Sequence, residues 1–303
     1  MKPIAIIFLS AFLFSCNSPK KKVEIDTSKH VGLVTFDSEK PFKVLYSEGH
    51  LEDAEKQAEL IDEAYQFLSD IMGPKEHFCL MVISEKDWER NAYLPIPGMP
   101  GYYKGNLTLG AGHNSMALGY EEMIKSFPEE MTHDLVKTYT NAQGAFDMRL
   151  FFDKLSIHEL THSFQDPENQ EGYSMSRWLE EIHANMGLYS FYKSKKPNEL
   201  KYVTHLVDFS LDNPPPNLQY ETLSDFDAHY YDMQPDTYGF YQMKFTKAGA
   251  QLIDSLGNAV LKPLNDFIIK YDESWKDKLT EEEFRERLTA EVHPYFSEIM
   301  DIW

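Results

Sequence analysis

The stretch His158-Glu159-Leu160-Thr161-His162 has residue types and a spacing suited to metal chemistry. Two histidines four residues apart on a helix lie on the same face, where both imidazoles can bind one Zn²⁺. Glu159 is offset around the helix from its neighbour His158, so its carboxylate can reach a metal-bound water and act as general base. The five residues therefore predict a hydrolytic site with one zinc ion per chain.

The segment around this motif, residues 146–165, has the pattern of a helix. Asp147 is expected to cap its start, and Asp166-Pro167 to end it. One apolar stripe is formed by Leu150, Ile157, Leu160, Thr161 and Phe164. Such a stripe can be buried while the two histidines face another way. The alternative is an amphipathic helix whose histidines have no role in metal binding.

A zinc hydrolase needs a third protein ligand and one open position for water. A metzincin would continue with Gly and then His or Asp, but those places hold Gln165 and Glu168. Further along, Trp178-Leu179-Glu180-Glu181 and Ala184 resemble the W-L-x-E-x-x-A segment of the gluzincins, a group of zinc metallopeptidases. Eighteen residues separate His162 from Glu181, which is typical of the aminopeptidase branch of that group.

This resemblance implies a complete set of site residues. His158, His162 and Glu181 would bind zinc, Glu159 would be the base, and Glu181 would lie on a second helix packed against the first. The residues agree with that helix, because Ser176 is a reasonable N-cap and an apolar face follows it. Asn185 lies where these enzymes often carry a partner that orients a ligand histidine.

Two features depart from the gluzincin pattern. Ile182 replaces the small residue that is common after the ligand glutamate, and His183 offers a competing ligand. The aminopeptidase G-x-M-E-N strand motif is also missing, since residues 105–108 read Gly-Asn-Leu-Thr. The choice between endopeptidase and exopeptidase therefore stays open.

The part of the chain before the motif predicts a small sheet. Strands are expected at residues 41–46 and 78–84, on either side of a helix from Glu52 to Met72. This order resembles the N-terminal part of bacterial peptidase MA-like proteins. In zincins an edge strand above the metal pairs with the substrate, and Tyr102 to Ala111 is the best candidate. A plain hairpin without substrate contact is the alternative.

A late helix is predicted from Tyr238 to Leu256, closed by Gly257. Gluzincins commonly use a Tyr or His from such an element to stabilise the oxyanion. By that resemblance Tyr241 is the candidate, with Tyr238 one turn away. Aromatic packing is an equally good interpretation of either tyrosine.

The first residues predict export. Residues 1–15 read as a signal peptide with a short basic start and an apolar run, and Leu13-Phe14-Ser15-Cys16 resembles a bacterial lipobox. Cys16 would then carry lipid, residues 16–40 would form a tether, and the chain would lie in the cell envelope. By analogy with lipoproteins, Asn17 after the cysteine is compatible with sorting to the outer membrane. The chain would then face the periplasm or the cell surface. An ordinary secretory signal is the alternative.

Composition limits the remaining classes. With 29 Lys and Arg against 49 Asp and Glu, the formal net charge of −20 excludes nucleic acid as a main partner. Cys79 lies in an apolar run and is expected to be buried. With Cys16 committed to lipid, Cys79 is left without a partner, so no intrachain disulfide is predicted. Residues 41–303 suffice for one domain, with an N-terminal α/β lobe at about 41–165 and a helical lobe at about 166–303.

We therefore expect an α+β protein with a zincin-like (gluzincin) fold: a small N-terminal mixed sheet, an active-site helix and a mostly helical C-terminal half. Its expected function is zinc-dependent hydrolysis of extracytoplasmic peptides or proteins. One rival interpretation is a catalytically inactive binding or scaffold lipoprotein that keeps the zincin fold. Another is a metal-dependent hydrolase acting on a non-peptide amide.

Overall fold

The computed structural model describes residues 25–74, 78–165, 174–301 and 303. The expected signal peptide, Cys16 and the helix stop at Asp166-Pro167 lie outside the described residues. Within them the chain is α+β, with a small mixed sheet and a larger helical part. No helix in this part of the chain is long and apolar enough to cross a membrane.

Five described strands form one sheet in the order β1-β2-β3-β5-β4. They are β1 (Val34–Phe36), β2 (Lys43–Tyr46), β3 (Cys79–Ile83), β4 (Gly101–Tyr103) and β5 (Asn106–Gly110). The central pairs β2/β3 and β3/β5 are parallel, whereas β1 and β4 are antiparallel to their neighbours. The predicted strand over residues 102–111 is thus a hairpin, and β4 is an edge of the sheet.

The described helices follow the strands or connect them. They are α1 (Leu51–Met72), α2 (Glu85–Asn91), α3 (Ser115–Lys125), α4 (Glu129–Thr138), α5 (Arg149–Phe152), α6 (Ser156–Gln165), α7 (Arg177–Lys195), α8 (Lys201–Asp212), α9 (Leu223–His229), α10 (Pro235–Leu256), α11 (Leu261–Lys270), α12 (Glu281–Glu291) and α13 (Tyr295–Met300). The predicted helices at 52–72 and 238–256 are confirmed within a few residues.

Both faces of the sheet are covered, which explains the continuous apolar run of β3. On one face Leu80 and Val82 join the main core with residues of α1, α6, α7, α10 and α11. On the other face Cys79, Met81 and Ile83 pack with Trp88 of α2. Burial of Cys79 is therefore observed, and it raises the pKa of the thiol to about 12.

Helix α7 runs through the middle of the helical part and is buried over most of its length. Its close approach to α6 depends on Gly187, where a Cβ would lie 2.2 Å from Oγ1 of Thr161. On another side α10 approaches at Gly249, where a Cβ would lie 3.0 Å from the backbone nitrogen of Met186. Two glycines thus let three helices pack at short distance around the predicted ligands.

Two boundaries differ from the sequence expectations. Part of the expected tether is folded: β1 lies within residues 16–40, and the N–H of Asp26 donates to the carbonyl of Lys104. The folded part therefore begins before residue 41. The expected helix over 146–165 is split into α5 and α6 by a 3₁₀ turn at Asp153–Leu155. The hydroxyl of Ser156 donates to the carbonyl of Asp153 (2.7 Å), which competes with the helical backbone ladder at this point.

Candidate metal centre

Helices α6 and α7 bring the three predicted zinc ligands together. His158 and His162 lie one turn apart on α6, and their Nε2 atoms are 3.0 Å apart. Oε2 of Glu181, on α7, lies 3.2 Å from Nε2 of His158 and 3.6 Å from Nε2 of His162. Three potential ligand atoms from two helices therefore form one small triangle.

The edges of this triangle, 3.0, 3.2 and 3.6 Å, are close to those of a tetrahedral metal site, and two of them are slightly shorter. Bonds of about 2.0–2.2 Å in a tetrahedral site place neighbouring ligand atoms roughly 3.3–3.6 Å apart. Oε2 of Glu181 is buried and has no hydrogen-bond partner of acceptable geometry among the described residues. A buried carboxylate oxygen without a partner is costly unless a cation satisfies it. The donor set, two imidazoles and one carboxylate, is one that catalytic zinc sites use.

The charges at the site are strongly coupled. Burial raises the pKa of Glu181, but the contacts and charges of His158 and His162 outweigh it and hold that pKa well below its ordinary value. Burial lowers the pKa of His162, yet Glu181 and the charge of Glu159 raise it to about 9. The carboxylate is thus kept ionised, as a metal ligand must be, whereas His162 has to release a proton before its Nε2 can bind an ion.

Glu159 is adjacent to the triangle and partly exposed. His162 is also partly exposed, whereas His158 and Glu181 are buried. Of the three potential ligands, His162 is therefore the one that solvent reaches. A partly exposed carboxylate beside such ligands is the type of group that can exchange protons with a bound molecule.

Of the two candidate tyrosines, Tyr238 is the one in electrostatic contact with the site. Burial and then the charges of Glu181 and Glu159 raise the pKa of Tyr238 well above its usual value. The phenol therefore stays protonated and can act as a donor.

Tyr241 has other partners. Its hydroxyl donates to the carbonyl of Thr222 (2.7 Å), and its ring stacks against Trp303 at 5.6 Å between ring centres. This arrangement matches the packing interpretation of Tyr241.

Asn185 is buried one turn beyond Glu181, but among the described residues it makes no hydrogen bond to a ligand histidine. Its amide donates to the backbone carbonyl of Glu181 (2.9 Å), and its oxygen accepts from the hydroxyl of Thr246 (2.8 Å). These bonds join α7 to α10 at the level of the ligand.

The contacts of three residues near the ligands were not predicted from the sequence. The hydroxyl of Tyr230 donates to Oε1 of Glu181 (3.2 Å), the second oxygen of that carboxylate. Gln165 contacts Nδ1 of His162 (2.7 Å), and His183 contacts Gln165 (2.9 Å). His183, considered a competing ligand, is directed to the carbonyl of Leu261 instead. The only sequence signal for Gln165 was its helical spacing, three residues after His162.

Another group of potential ligands, His113, Glu121 and Asp147, also lies within a few ångströms. No family model matches the chain, and no curated protein matches it either. The chemical interpretation of both groups therefore depends on their residues and geometry. The α6/α7 site combines three convergent ligand atoms, an adjacent carboxylate and a phenol donor. Metal-assisted hydrolysis uses groups of these types.

Proposed function

We propose that this protein is a zinc-dependent peptidase with a zincin-like fold of the gluzincin type. The observation that carries the proposal is the triangle of His158, His162 and Glu181, with the buried, unpartnered Oε2 of Glu181 facing the two Nε2 atoms. A structural zinc would more often have four protein ligands and no base beside it. Here three ligands are accompanied by a partly exposed Glu159.

In this proposal the three ligands hold one Zn²⁺, which would supply Lewis acidity for activating water and polarising a carbonyl. Glu159 would accept a proton from the attacking water on its carboxylate and deliver it to the leaving nitrogen. The hydroxyl of Tyr238 would donate a hydrogen bond to the carbonyl oxygen as negative charge develops there. Tyr238 is favoured over Tyr241, whose hydroxyl is already bonded to a backbone carbonyl.

The position of β4 supports a peptide as substrate. This strand is an edge of the mixed sheet, antiparallel to β5, and it packs against α6. An exposed edge next to the site offers backbone groups to an extended chain. The extracytoplasmic setting of that substrate is part of the proposal and depends on Cys16 and the segment before it, which lie outside the described residues.

The test is the substitution Glu159→Gln. Because Glu159 is not a ligand, the variant should keep one zinc per chain by elemental analysis, yet lose turnover of a peptide library by at least about 10²–10⁴-fold. Glu122→Gln, which changes an exposed acid on α3, is the matched control and should keep both.

The alternatives predict other results. Zinc in wild type with no turnover of any peptide, and no effect of Glu159→Gln, would favour the scaffold lipoprotein. Wild-type protein without zinc after metal-replete purification would refute the metallopeptidase altogether.

A further inference from the structure

A buried chain of hydrogen bonds runs from His162 to the backbone of α11. Nδ1 of His162 contacts Oε1 of Gln165 at 2.7 Å. Nε2 of Gln165 donates to the carbonyl of Glu180 (2.8 Å) and contacts Nδ1 of His183 at 2.9 Å. Nε2 of His183 contacts the carbonyl of Leu261 at 3.2 Å. Gln165 is 6% exposed and His183 is fully buried, so water does not compete for these bonds.

The two carbonyl groups determine the direction of every bond in this chain. A carbonyl oxygen only accepts, so Nε2 of His183 must carry a proton and donate to Leu261. The carbonyl of Glu180 likewise requires the amide nitrogen of Gln165 on its side.

The same amide nitrogen then donates to the bare Nδ1 of His183, which agrees with the first assignment. Rotating the amide of Gln165 by half a turn would place its oxygen against the carbonyl of Glu180 and break both bonds. The amide oxygen therefore faces His162, and Nδ1 of His162 must be the donor.

We propose that Gln165 is a positioning residue that holds His162 with its proton on Nδ1, leaving Nε2 as the nitrogen directed at Glu181. His183 and the carbonyl of Glu180 fix the amide of Gln165 in the required orientation. The benefit to catalysis rests on the proposed zinc function, but the hydrogen-bond assignment does not. The orienting role expected of Asn185 is thereby assigned to Gln165.

The two histidine ligands differ in the hydrogen bonding of Nδ1. Nδ1 of His158 is buried and has no hydrogen-bond partner among the described residues. The bond chain therefore acts on one ligand only. Loss of an outer partner of a ligand histidine typically weakens metal binding by about 10–100-fold.

The proposal is tested with two measurements on the same variants. The first is the ¹⁵N spectrum of the histidine side chains in metal-free protein, where a slowly exchanging Nδ1–H of His162 reports the bond to Gln165. The second is Zn²⁺ affinity, measured by competition with a chromophoric chelator. The signal is assigned by its loss in His162→Gln.

Gln165→Leu removes the acceptor and should abolish the protected Nδ1–H and weaken Zn²⁺ binding by about 10–100-fold. Gln165→Glu keeps an acceptor for His162 but loses the donor to the carbonyl of Glu180 and to His183, so it should retain an Nδ1–H that exchanges faster than in wild type. Asn265→Leu is the matched control, because Asn265 is a buried amide that donates to the carbonyl of Phe164 (3.1 Å), next to Gln165, without touching a ligand. It should retain the proton and the affinity even if stability falls.

The proposal is overturned if Gln165→Leu keeps the protected Nδ1–H, or if Asn265→Leu loses it equally, since the effect would then be general packing. A protected proton in wild type and not in Gln165→Leu, together with no zinc binding in either, would support the positioning role and refute the proposed zinc function.

Discussion

Two groups of histidine and acid side chains in the described chain have ligand atoms close enough to share one ion. One consists of His158, His162 and Glu181 at the contact of α6 and α7, and the other of His113, Glu121 and Asp147 near α3. In both groups the atoms lie within 4.8 Å of one another. Distance alone therefore does not separate them.

The groups differ in what their ligand atoms already bind. Oε1 of Glu121 accepts from the N–H of Met148 (3.1 Å), and Oδ1 of Asp147 accepts from the N–H of Arg149 (3.0 Å). Lys125 adds a positive charge 3.8 Å from Glu121. These carboxylates are neutralised or used by the fold without an ion.

The α6/α7 group has the opposite character. Oε2 of Glu181 is buried and lies 3.2 and 3.6 Å from the two imidazole Nε2 atoms without a hydrogen bond of acceptable geometry, while its other oxygen accepts from Tyr230. His162 is held from behind by Gln165, whereas His113 has a side chain that is 47% exposed. The comparison teaches that a metal site is marked by ligand atoms that the fold has oriented and left unsatisfied, rather than by proximity.

The largest expected effect separates the two groups directly. Glu181→Gln should weaken Zn²⁺ binding by at least about a hundredfold, because it removes a charged ligand and not only an outer partner. Glu121→Gln keeps the oxygen that accepts from Met148 and should leave the affinity unchanged. Chelator competition measures both. Equal losses in the two variants, or a loss in Glu121→Gln alone, would contradict the assignment of the ion to the α6/α7 group.

The sequence predicted the parts of the site that follow from short spacing. The i, i+4 histidines need only a helix, and the segment around Glu181 carries its own motif. The strands at β2 and β3 and the helices α1 and α10 followed from apolar patterns and from Gly at helix ends.

The sequence could not predict contacts between distant residues. Tyr230 lies 49 positions from Glu181, and His183 reaches Leu261 across 78 positions. Such pairs depend on how helices pack, and 18 tyrosines offered no way to select one. Strand β1 was missed because three residues carry too little periodic signal, and the 3₁₀ turn before α6 coincides with a side-chain bond from Ser156 to Asp153 that the helical pattern does not indicate.

A somewhat smaller effect is expected on the pH dependence of stability, through a buried carboxyl at the start of α7. Oδ1 of Asp227 accepts from the N–H groups of Arg177 and Trp178 at the start of α7. Burial raises the pKa of Asp227 to about 6 from 3.8, although those N–H groups lower it. The folded state therefore binds a proton that the unfolded state lacks between about pH 4 and 6, and this contribution to stability is lost as pH rises through 6.

Asp227→Asn keeps an accepting oxygen and has no charge to desolvate. Relative to wild type, its free energy of unfolding should rise by about 2–3 kcal/mol between pH 4 and 7. Denaturant unfolding of both proteins at each pH measures the difference, in which the other titrating groups largely cancel. A constant difference across this range would contradict the raised pKa of Asp227.

The smallest effects are expected from replacing one glycine near each group of ligands by alanine. Gly187→Ala would place a Cβ 2.2 Å from Oγ1 of Thr161, so α6 and α7 must separate. Overpacking of this kind costs about 1–3 kcal/mol of unfolding free energy, and Zn²⁺ affinity should fall with it because the helix spacing sets the distance from His158 to Glu181.

Gly119→Ala is the matched substitution on α3, where a Cβ meets nothing within 4 Å. It should raise stability by up to about 1 kcal/mol through helix propensity and leave Zn²⁺ affinity unchanged. Thermal unfolding should show lower stability for Gly187→Ala and higher stability for Gly119→Ala. Chelator competition should show weaker Zn²⁺ binding for Gly187→Ala only. If Gly187→Ala were as stable as wild type and bound Zn²⁺ equally well, close helix contact would not be what holds the ligands together.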